Sequence, residues 1–293
     1  MRILLTGGSG DLGSLLSKEL INQGDTPINI DVASPKSSDG AFVKGSILDR
    51  DLLLDAAKGV DCIVHIAAWH GVHELPEHGG KDAYDFHDLN VTGTLNTLEA
   101  AAQNSVKKFV FISSTSTDDK YGLYGHTKIL NEEMMRAYAD RHDMDILILR
   151  PRAFIPSWNK SIYNDFIEWA NWFSKGAVHI DDMTQATLKA VNYLKDNKAP
   201  FPPPTMPIDG AYDYTENELN NWDKDGAGST FKDHYGQNAY DITVSHGIDP
   251  ARKPKVVGSK EAEELLGYDP QYSLKSLLDE LKIHGKKGPP SPF

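Results

Sequence analysis

Met1-Arg2-Ile3-Leu4-Leu5-Thr6-Gly7-Gly8-Ser9-Gly10-Asp11-Leu12-Gly13 opens the chain, and its reading decides the fold. Residues 2–6 form an apolar run of strand length. Glycines follow at positions 7, 10 and 13, and Leu12, Leu15, Leu16 and Leu20 then recur at helical spacing. A strand, a glycine turn and a helix in that order put a helix N-terminus beside the turn. Free backbone N–H groups and the helix dipole there favour an anion such as a pyrophosphate. The glycines answer three demands: a tight turn, close approach of the backbone to the phosphates, and close packing of helix on strand. The next apolar stretch, Pro27-Ile28-Asn29-Ile30-Asp31, ends in an acid eighteen residues after Gly13. A dinucleotide fold places there the carboxylate that binds the adenosine ribose hydroxyls. Such a carboxylate repels a 2′-phosphate, and no Arg or Lys follows before Lys36. These residues predict NAD rather than NADP.

Working outward, strand-like runs at 2–6, 27–31, 41–44, 61–66, 107–113 and 145–150 alternate with helical patterns near 11–22, 48–57, 82–103 and 124–141. That alternation predicts an α/β fold, a Rossmann-like doubly wound parallel sheet with right-handed crossovers. After Pro151 the rhythm changes. Residues 158–175, with Trp158, Trp169 and Trp172, read as a separate helix, and 176–180 as a strand running into a helix that ends near Lys195. Pro202-Pro203-Pro204 breaks the chain, 209–247 shows weak periodicity, and helical patterning returns near 259–266 and 273–283. The expected organisation is an NAD-binding domain over 1–157 with 176–198 returning to it. A smaller C-terminal substrate-binding lobe follows over 158–175 and 199–284, then a disordered tail over 285–293.

Composition narrows the function classes. A chain of 293 residues can bury a full core. The formal net charge of −12 gives no electrostatic footprint for nucleic acid or an anionic membrane. No apolar run approaches transmembrane length, and the short apolar N-terminus is already used as the first strand. Cys62 is the sole cysteine, which excludes an internal disulfide and fits a reducing cytoplasm. His70, His73 and His78 cluster after the fourth strand but lack the helical His-Glu-x-x-His pattern of a zinc site. No metal is expected; the segment reads as a loop bordering the substrate pocket, with His70 or His73 touching substrate.

The chemistry is concentrated near Tyr124-Gly125-His126-Thr127-Lys128, which sets Tyr124 and Lys128 four residues apart on one helix face. Just upstream, the strand Phe109-Val110-Phe111-Ile112 ends in Ser113-Ser114-Thr115, at the edge where parallel sheets bind ligands. Tyr, Lys and a hydroxyl there form a proton-transfer set. A lysine ammonium and a positive nicotinamide favour phenolate, which lowers the tyrosine towards neutrality. The tyrosine then takes the proton of a substrate alcohol as hydride leaves its carbon, and the hydroxyl holds the substrate oxygen. Counting from the strand gives Ser114 as that hydroxyl; counting back from Tyr121-Gly122 gives Thr117. The strand end is the more rigid marker.

These pieces together resemble the extended short-chain dehydrogenase/reductase superfamily, in its NAD-dependent epimerase/dehydratase branch. The resemblance is carried by Thr6 to Gly13, Asp31, Gly45-Ser46-Ile47-Leu48-Asp49 and His65-Ile66-Ala67-Ala68. It continues through Asn90-Val91-Thr92-Gly93-Thr94-Leu95-Asn96, Phe111-Ile112-Ser113-Ser114, Tyr124 to Lys128 and Leu149-Arg150-Pro151. His179-Ile180-Asp181-Asp182 and Gly267-Tyr268-Asp269-Pro270 extend it more loosely. It implies that Gly7, Gly10, Asp11 and Leu12 touch the pyrophosphate and Asp31 the adenosine ribose. Ser46 and Ile47 would lie at the adenine, and Ala67 and Ala68 beside the phosphates and ribose. Ser114, Tyr124 and Lys128 inherit the catalytic roles, Tyr124 and Lys128 also meeting the cofactor, and Asn90 lies near the substrate. It further implies a homodimer through the helices over 82–103 and 124–141, with Leu89, Leu95, Leu98, Ile129, Leu130 and Met134 as apolar positions.

Three departures shape the functional expectation. Ser46 stands where many relatives carry Asp. Arg152-Ala153-Phe154 replaces an Asn-containing stretch that helps hold nucleotide-sugars, leaving Arg152 as a substrate contact. Only nine residues separate Ser114 from Tyr124, so a segment that normally borders the pocket is missing. The leading expectation is an NAD-dependent oxidoreductase or epimerase acting on a hydroxyl of a sugar or nucleotide-sugar. Alternatives are an NAD-dependent dehydrogenase of a free sugar or sugar acid, and a non-catalytic NAD-binding regulator, against which the intact Tyr and Lys argue. A sugar-nucleotide dehydratase is also open, because Ser116-Thr117-Asp118-Asp119-Lys120-Tyr121-Gly122 resembles the Thr-Asp-Glu segment whose acids eliminate water.

Overall fold

The computed structural model describes residues 1–119 and 122–293. Seven strands form one parallel sheet: β1 (Arg2–Thr6), β2 (Thr26–Asp31), β3 (Ala41–Lys44), β4 (Cys62–His65), β5 (Lys108–Ile112), β6 (Asp145–Pro151) and β7 (Thr205–Ile208). Their order is β3-β2-β1-β4-β5-β6-β7. The chain winds outward from β1 to β3, returns past β1 to β4, and winds the other way. The reversal between β1 and β4 is the topological switch point, where open α/β sheets bind ligands beyond the strand C-termini. Thr6 and His65 are register partners there. The fold is the expected Rossmann-like sheet with flanking helices.

Both faces of the sheet are covered, so the strands need apolar residues at successive positions. Leu4, Ile63, Phe109, Phe111, Ile146 and Ile148 pack in one core with Leu98, Met135 and Leu53 from the helices. The helix expected over 82–103 is divided into Ala83–Phe86, a π-helical stretch His87–Thr92, and Gly93–Gln103. Helix Gly122–His142 covers the predicted 124–141.

The chain divides into two compact units. One comprises Met1–Arg152, Met183–Ile208 and Ser259–Tyr268; the other comprises Ala153–Asp182, Asp209–Gly258 and Asp269–Phe293. The structure corrects several expected boundaries. Residues 205–208, placed in the lobe, form β7 on the sheet edge. Pro207 disguised it, yet an edge strand tolerates a missing N–H on its open side. Helix Lys260–Leu266 packs on β7 in the same unit. Residues 176–180, expected as a strand, make none: Val178 N–H donates to the Ala153 carbonyl (3.1 Å) without a ladder, and the helix begins at Ile180. Within 158–175 the helix is only Phe166–Phe173. The weakly periodic 209–247 holds three short helices, Glu216–Asn220, Ser229–Tyr235 and Gln237–Ser245. The tail expected to be disordered starts as a 3₁₀ turn, Gly285–Lys287, and a Cβ on Gly288 would meet Phe166 at 2.5 Å. Among the described residues no helix is long and apolar enough to cross a membrane.

Candidate active site

The glycine turn follows β1 directly. Gly7 has φ +71°, and a Cβ there would lie 3.0 Å from the backbone of Ala67, so both conformation and space require glycine. A Cβ on Gly13 would lie 2.6 Å from the Gly7 carbonyl oxygen; that contact seats helix Asp11–Asn22 on the turn. Gly10, which has no side chain to cap the helix, is its N-cap, and a glycine turn at a helix N-terminus is the arrangement that receives an anion. The turn therefore fits a dinucleotide pyrophosphate. The hydroxyl of Thr6 ties the turn to the exit of β4, bonding His65 Nδ1 (2.7 Å) and accepting from Ile66 N–H (3.1 Å). His65 Nε2 meets Thr94 Oγ1 at 2.9 Å. Burial, then the nearby Lys128 charge, push the His65 pKa down to about 3, so it bridges as a neutral imidazole.

Asp31 ends β2 beside this turn. Its carboxylate accepts from Ser9 N–H (3.0 Å) and Ala33 N–H (2.9 Å), which braces the turn against the segment after β2. Lys36, remote in sequence, folds back to pair with Asp11 at the start of the first helix. A cation therefore does stand at the turn, contrary to the sequence reading, but it is engaged by Asp11. Ile47 is a core side chain beneath Gly93, and its carbonyl accepts from Asn96 Nδ2 (3.1 Å). Half-buried Ser46 is the more accessible of the pair. Ala67 lies against Gly7, and Ala68, also half-buried, follows it.

Ser114, Tyr124 and Lys128 converge at the C-terminal end of β5. Ser114 and Tyr124 are side-chain hydrogen-bond partners. Thr117 is turned inward, its hydroxyl donating to the Ser114 carbonyl at 2.9 Å; the count that led to it rests on Tyr121, which lies outside the described residues. Lys128 is buried, donates to the Ile112 carbonyl at 2.6 Å and stands 5.7 Å from the Tyr124 ring centroid. The expected lowering of the tyrosine is not achieved by these protein groups. Burial pushes the Tyr124 pKa up to about 12, with only the Ser114 bond opposing it. The lysine itself is pushed down to about 7 by burial, against the charge of Glu132.

Glu132, one turn beyond Lys128 and unnoticed in the sequence, is the buried hub of this end of the sheet. Its carboxylate accepts from Ser113 Oγ (2.6 Å) and from Arg150 Nε (2.8 Å) and Nη2 (2.6 Å). Arg150 also pairs with Asp118 (3.1 Å), so this acid of the dehydratase-like segment is tied down. The i, i+4 spacing from Lys128 was the available signal.

Of the residues expected at the substrate, His70 is exposed, with its ring centroid 6.3 Å from that of Tyr124. Arg152 is half-buried at the end of β6, its N–H donating to the Ile208 carbonyl at 3.0 Å. Asn90 is a correction. It is fully buried, accepting from Trp69 N–H (2.7 Å) and donating to the Trp69 carbonyl (3.0 Å) and Thr127 Oγ1 (3.0 Å). With its amide used internally it braces the loop after β4 against the Tyr124 helix and does not face a ligand. Its π-helical setting, His87–Thr92, gives no signal in the sequence. Among the described residues no group of three His, Cys, Asp or Glu is placed to hold a metal.

The UDP-glucose 4-epimerase of Lactobacillus helveticus is 30% identical over 170 residues, 49% of this chain and 48% of that protein. The L-arabinose 1-dehydrogenase (NAD(P)⁺) of Haloferax volcanii is 27% identical over 177 residues, 51% of this chain and 65% of that protein. The chain spans about half the length of several curated relatives it matches. The solved UDP-glucose 4-epimerase of Thermotoga maritima, with UDP-glucose, superposes with a TM-score of 0.69 at 20% identity, covering 95% of this chain and 96% of that one; the likeness shows the fold. The model of the NAD dependent epimerase/dehydratase family matches residues 3–167, more than half of the sequence, and the chain belongs to that family.

Proposed function

We propose that this protein is an NAD-dependent oxidoreductase that acts on a hydroxyl of a sugar-type substrate. The observation that carries the reading is the meeting of Ser114, Tyr124 and Lys128 at the end of β5, in the unit that holds the glycine turn. Gly7, Gly10, Asp11, Leu12 and Asp31 would hold the dinucleotide, with Ser46, Ala67 and Ala68 beside it. NAD, when bound, supplies the ring that takes up hydride. Ser114 orients the substrate oxygen and Tyr124 receives its proton, a role that needs phenolate. Lys128 in its ammonium form, together with the positive charge of a bound oxidised nicotinamide, would favour that phenolate against the burial that opposes it. With the cofactor bound, the same three residues would serve either outcome, epimerisation at the reacting carbon or net dehydrogenation. His70 and Arg152 are the proposed substrate contacts.

The nine-residue link between Ser114 and Tyr124 and the Arg152-Ala153-Phe154 stretch favour a second reading, a dehydrogenase of a free sugar or sugar acid. A panel of free aldoses, uronic acids and UDP-sugars separates epimerisation of a nucleotide-sugar from dehydrogenation of a free sugar, because net NADH appears only in the latter. Tyr124→Phe should keep NAD binding and lower turnover by about 10²- to 10⁴-fold, the contribution of a positioned acid–base group. Wild-type turnover in that variant would refute the role given to Tyr124.

A further inference from the structure

We propose that Glu74 is a positioning residue. From a separate loop it caps the N-terminus of the helix that carries Tyr124, and so holds the tyrosine against Ser114. The proposal rests on the reading of Tyr124 given above. Helix Gly122–His142 begins at Gly122 with φ +68°. Tyr124 N–H donates to Glu74 Oε1 at 3.0 Å. A Cβ on Gly122 would lie 2.7 Å from the same oxygen, so the carboxylate fills the space a side chain there would take. An acid in this place satisfies an orphan N–H and complements the positive end of the helix dipole.

The loop is held at its other end as well. Asn90 grips both the N–H and the carbonyl of Trp69. Residues 69–74 are thus strung between Asn90 and the helix start. Gly71 lies over the tyrosine ring, where a Cβ would stand 3.7 Å from Tyr124 Cδ1. On the opposite side, a Cβ on Gly125 would lie 2.5 Å from the Ser116 carbonyl oxygen, so the short link from Ser114 presses on the same helical turn. Loss of Glu74 leaves the Tyr124 N–H unpaired, loosens the first turn and lets the ring drift from Ser114.

The test uses the full chain with NAD and the best substrate of the sugar panel. It compares Glu74→Ala, Glu74→Gln, Tyr124→Phe and the double variant Glu74→Ala/Tyr124→Phe. Glu74→Ala should lower kcat by about 10- to 100-fold through misplacement of the reacting groups, with KM and NAD affinity little changed. Glu74→Gln should recover most of the loss, because its amide oxygen still accepts the N–H. The double variant should be no slower than Tyr124→Phe. Amide hydrogen exchange over residues 122–130, which needs no substrate, should quicken in Glu74→Ala and return to normal in Glu74→Gln. Unchanged kcat in Glu74→Ala, a further loss in the double variant, or unchanged exchange overturns the proposal. Full turnover in Tyr124→Phe with quickened exchange in Glu74→Ala overturns the catalytic reading instead, and leaves Glu74 as the cap of that helix.

Discussion

Lys128→Met should make the protein more stable while it abolishes turnover. Burial brings the lysine from its ordinary 10.5 down to about 7. At about 1.4 kcal/mol per pH unit, the folded chain then carries ~5 kcal/mol against charging this side chain. Methionine has similar volume and no charge, so it removes that cost. It also removes the bond to the Ile112 carbonyl, and an acceptor left unpaired costs about 1–3 kcal/mol. The net gain at pH 6 is a few kcal/mol, or roughly 5 °C in Tm for a chain of this size. The pH dependence fixes the cause. Below about 7 the lysine is charged in both the folded and unfolded chains, and the whole cost is present. Between about 7 and 10.5 the folded lysine is neutral while the unfolded one is still charged, so the cost falls steadily as pH rises. The advantage of Lys128→Met should therefore be largest at pH 6 and be gone near pH 9.5. Calorimetric or fluorescence melts of both proteins across this range provide the measurement. A variant no more stable than wild type at pH 6, or an advantage that does not shrink with pH, would refute the reasoning.

Asp31→Ala should narrow the preference for NAD over NADP, because it removes the carboxylate and leaves Lys36 near the turn; calorimetric titration with both cofactors checks this, and an unchanged ratio counts against it. The same variant should lose about 1–3 kcal/mol, since the Ser9 and Ala33 N–H groups lose their acceptor. We further expect a homodimer through the helices flanking β5, where Leu95 and Leu130 are exposed. Leu98, grouped with them in the sequence, is a fully buried core residue and takes no part. A monomeric mass by light scattering at micromolar concentration would exclude that assembly.

The sheet was legible as far as β6 because most strands there are near-continuous apolar runs and helical patterns fall between most of them. Beyond Pro151 that code lapses. β7 sits at an edge, needs no second apolar face and carries Pro207, so it offers neither run nor alternation. The apparent strand at 176–180 has the right residues but no neighbouring chain to pair with, and pairing is a tertiary fact. At the site, Gly7, Gly13, Asp31, Tyr124 and Lys128 were readable because their spacing is local. Glu132 and Glu74 were not. One is buried against Arg150 and the other reaches across fifty positions to Tyr124; the spacing of Glu132 from Lys128 marks only a shared helix face, and neither partner is local in the sequence. The Lys36–Asp11 pair escaped for the same reason, since only the folded segment after β2 brings the two together. The high pKa of Tyr124 shows another limit, because motif chemistry names the groups without revealing how far burial opposes their charge.

Glu132 also bears on how such a site can change. Ser113 at the end of β5, Arg150 near the end of β6 and the helix bearing Lys128 all meet on this one carboxylate. It works as a keystone: none of the three parts can shift without unseating the other two. Removing one partner of a buried charge pair typically costs about 3–5 kcal/mol, a large share of a domain's total stability. Variation that leaves the acid–base pair in register must therefore fall elsewhere, on positions that touch neither this carboxylate nor the Glu74 cap.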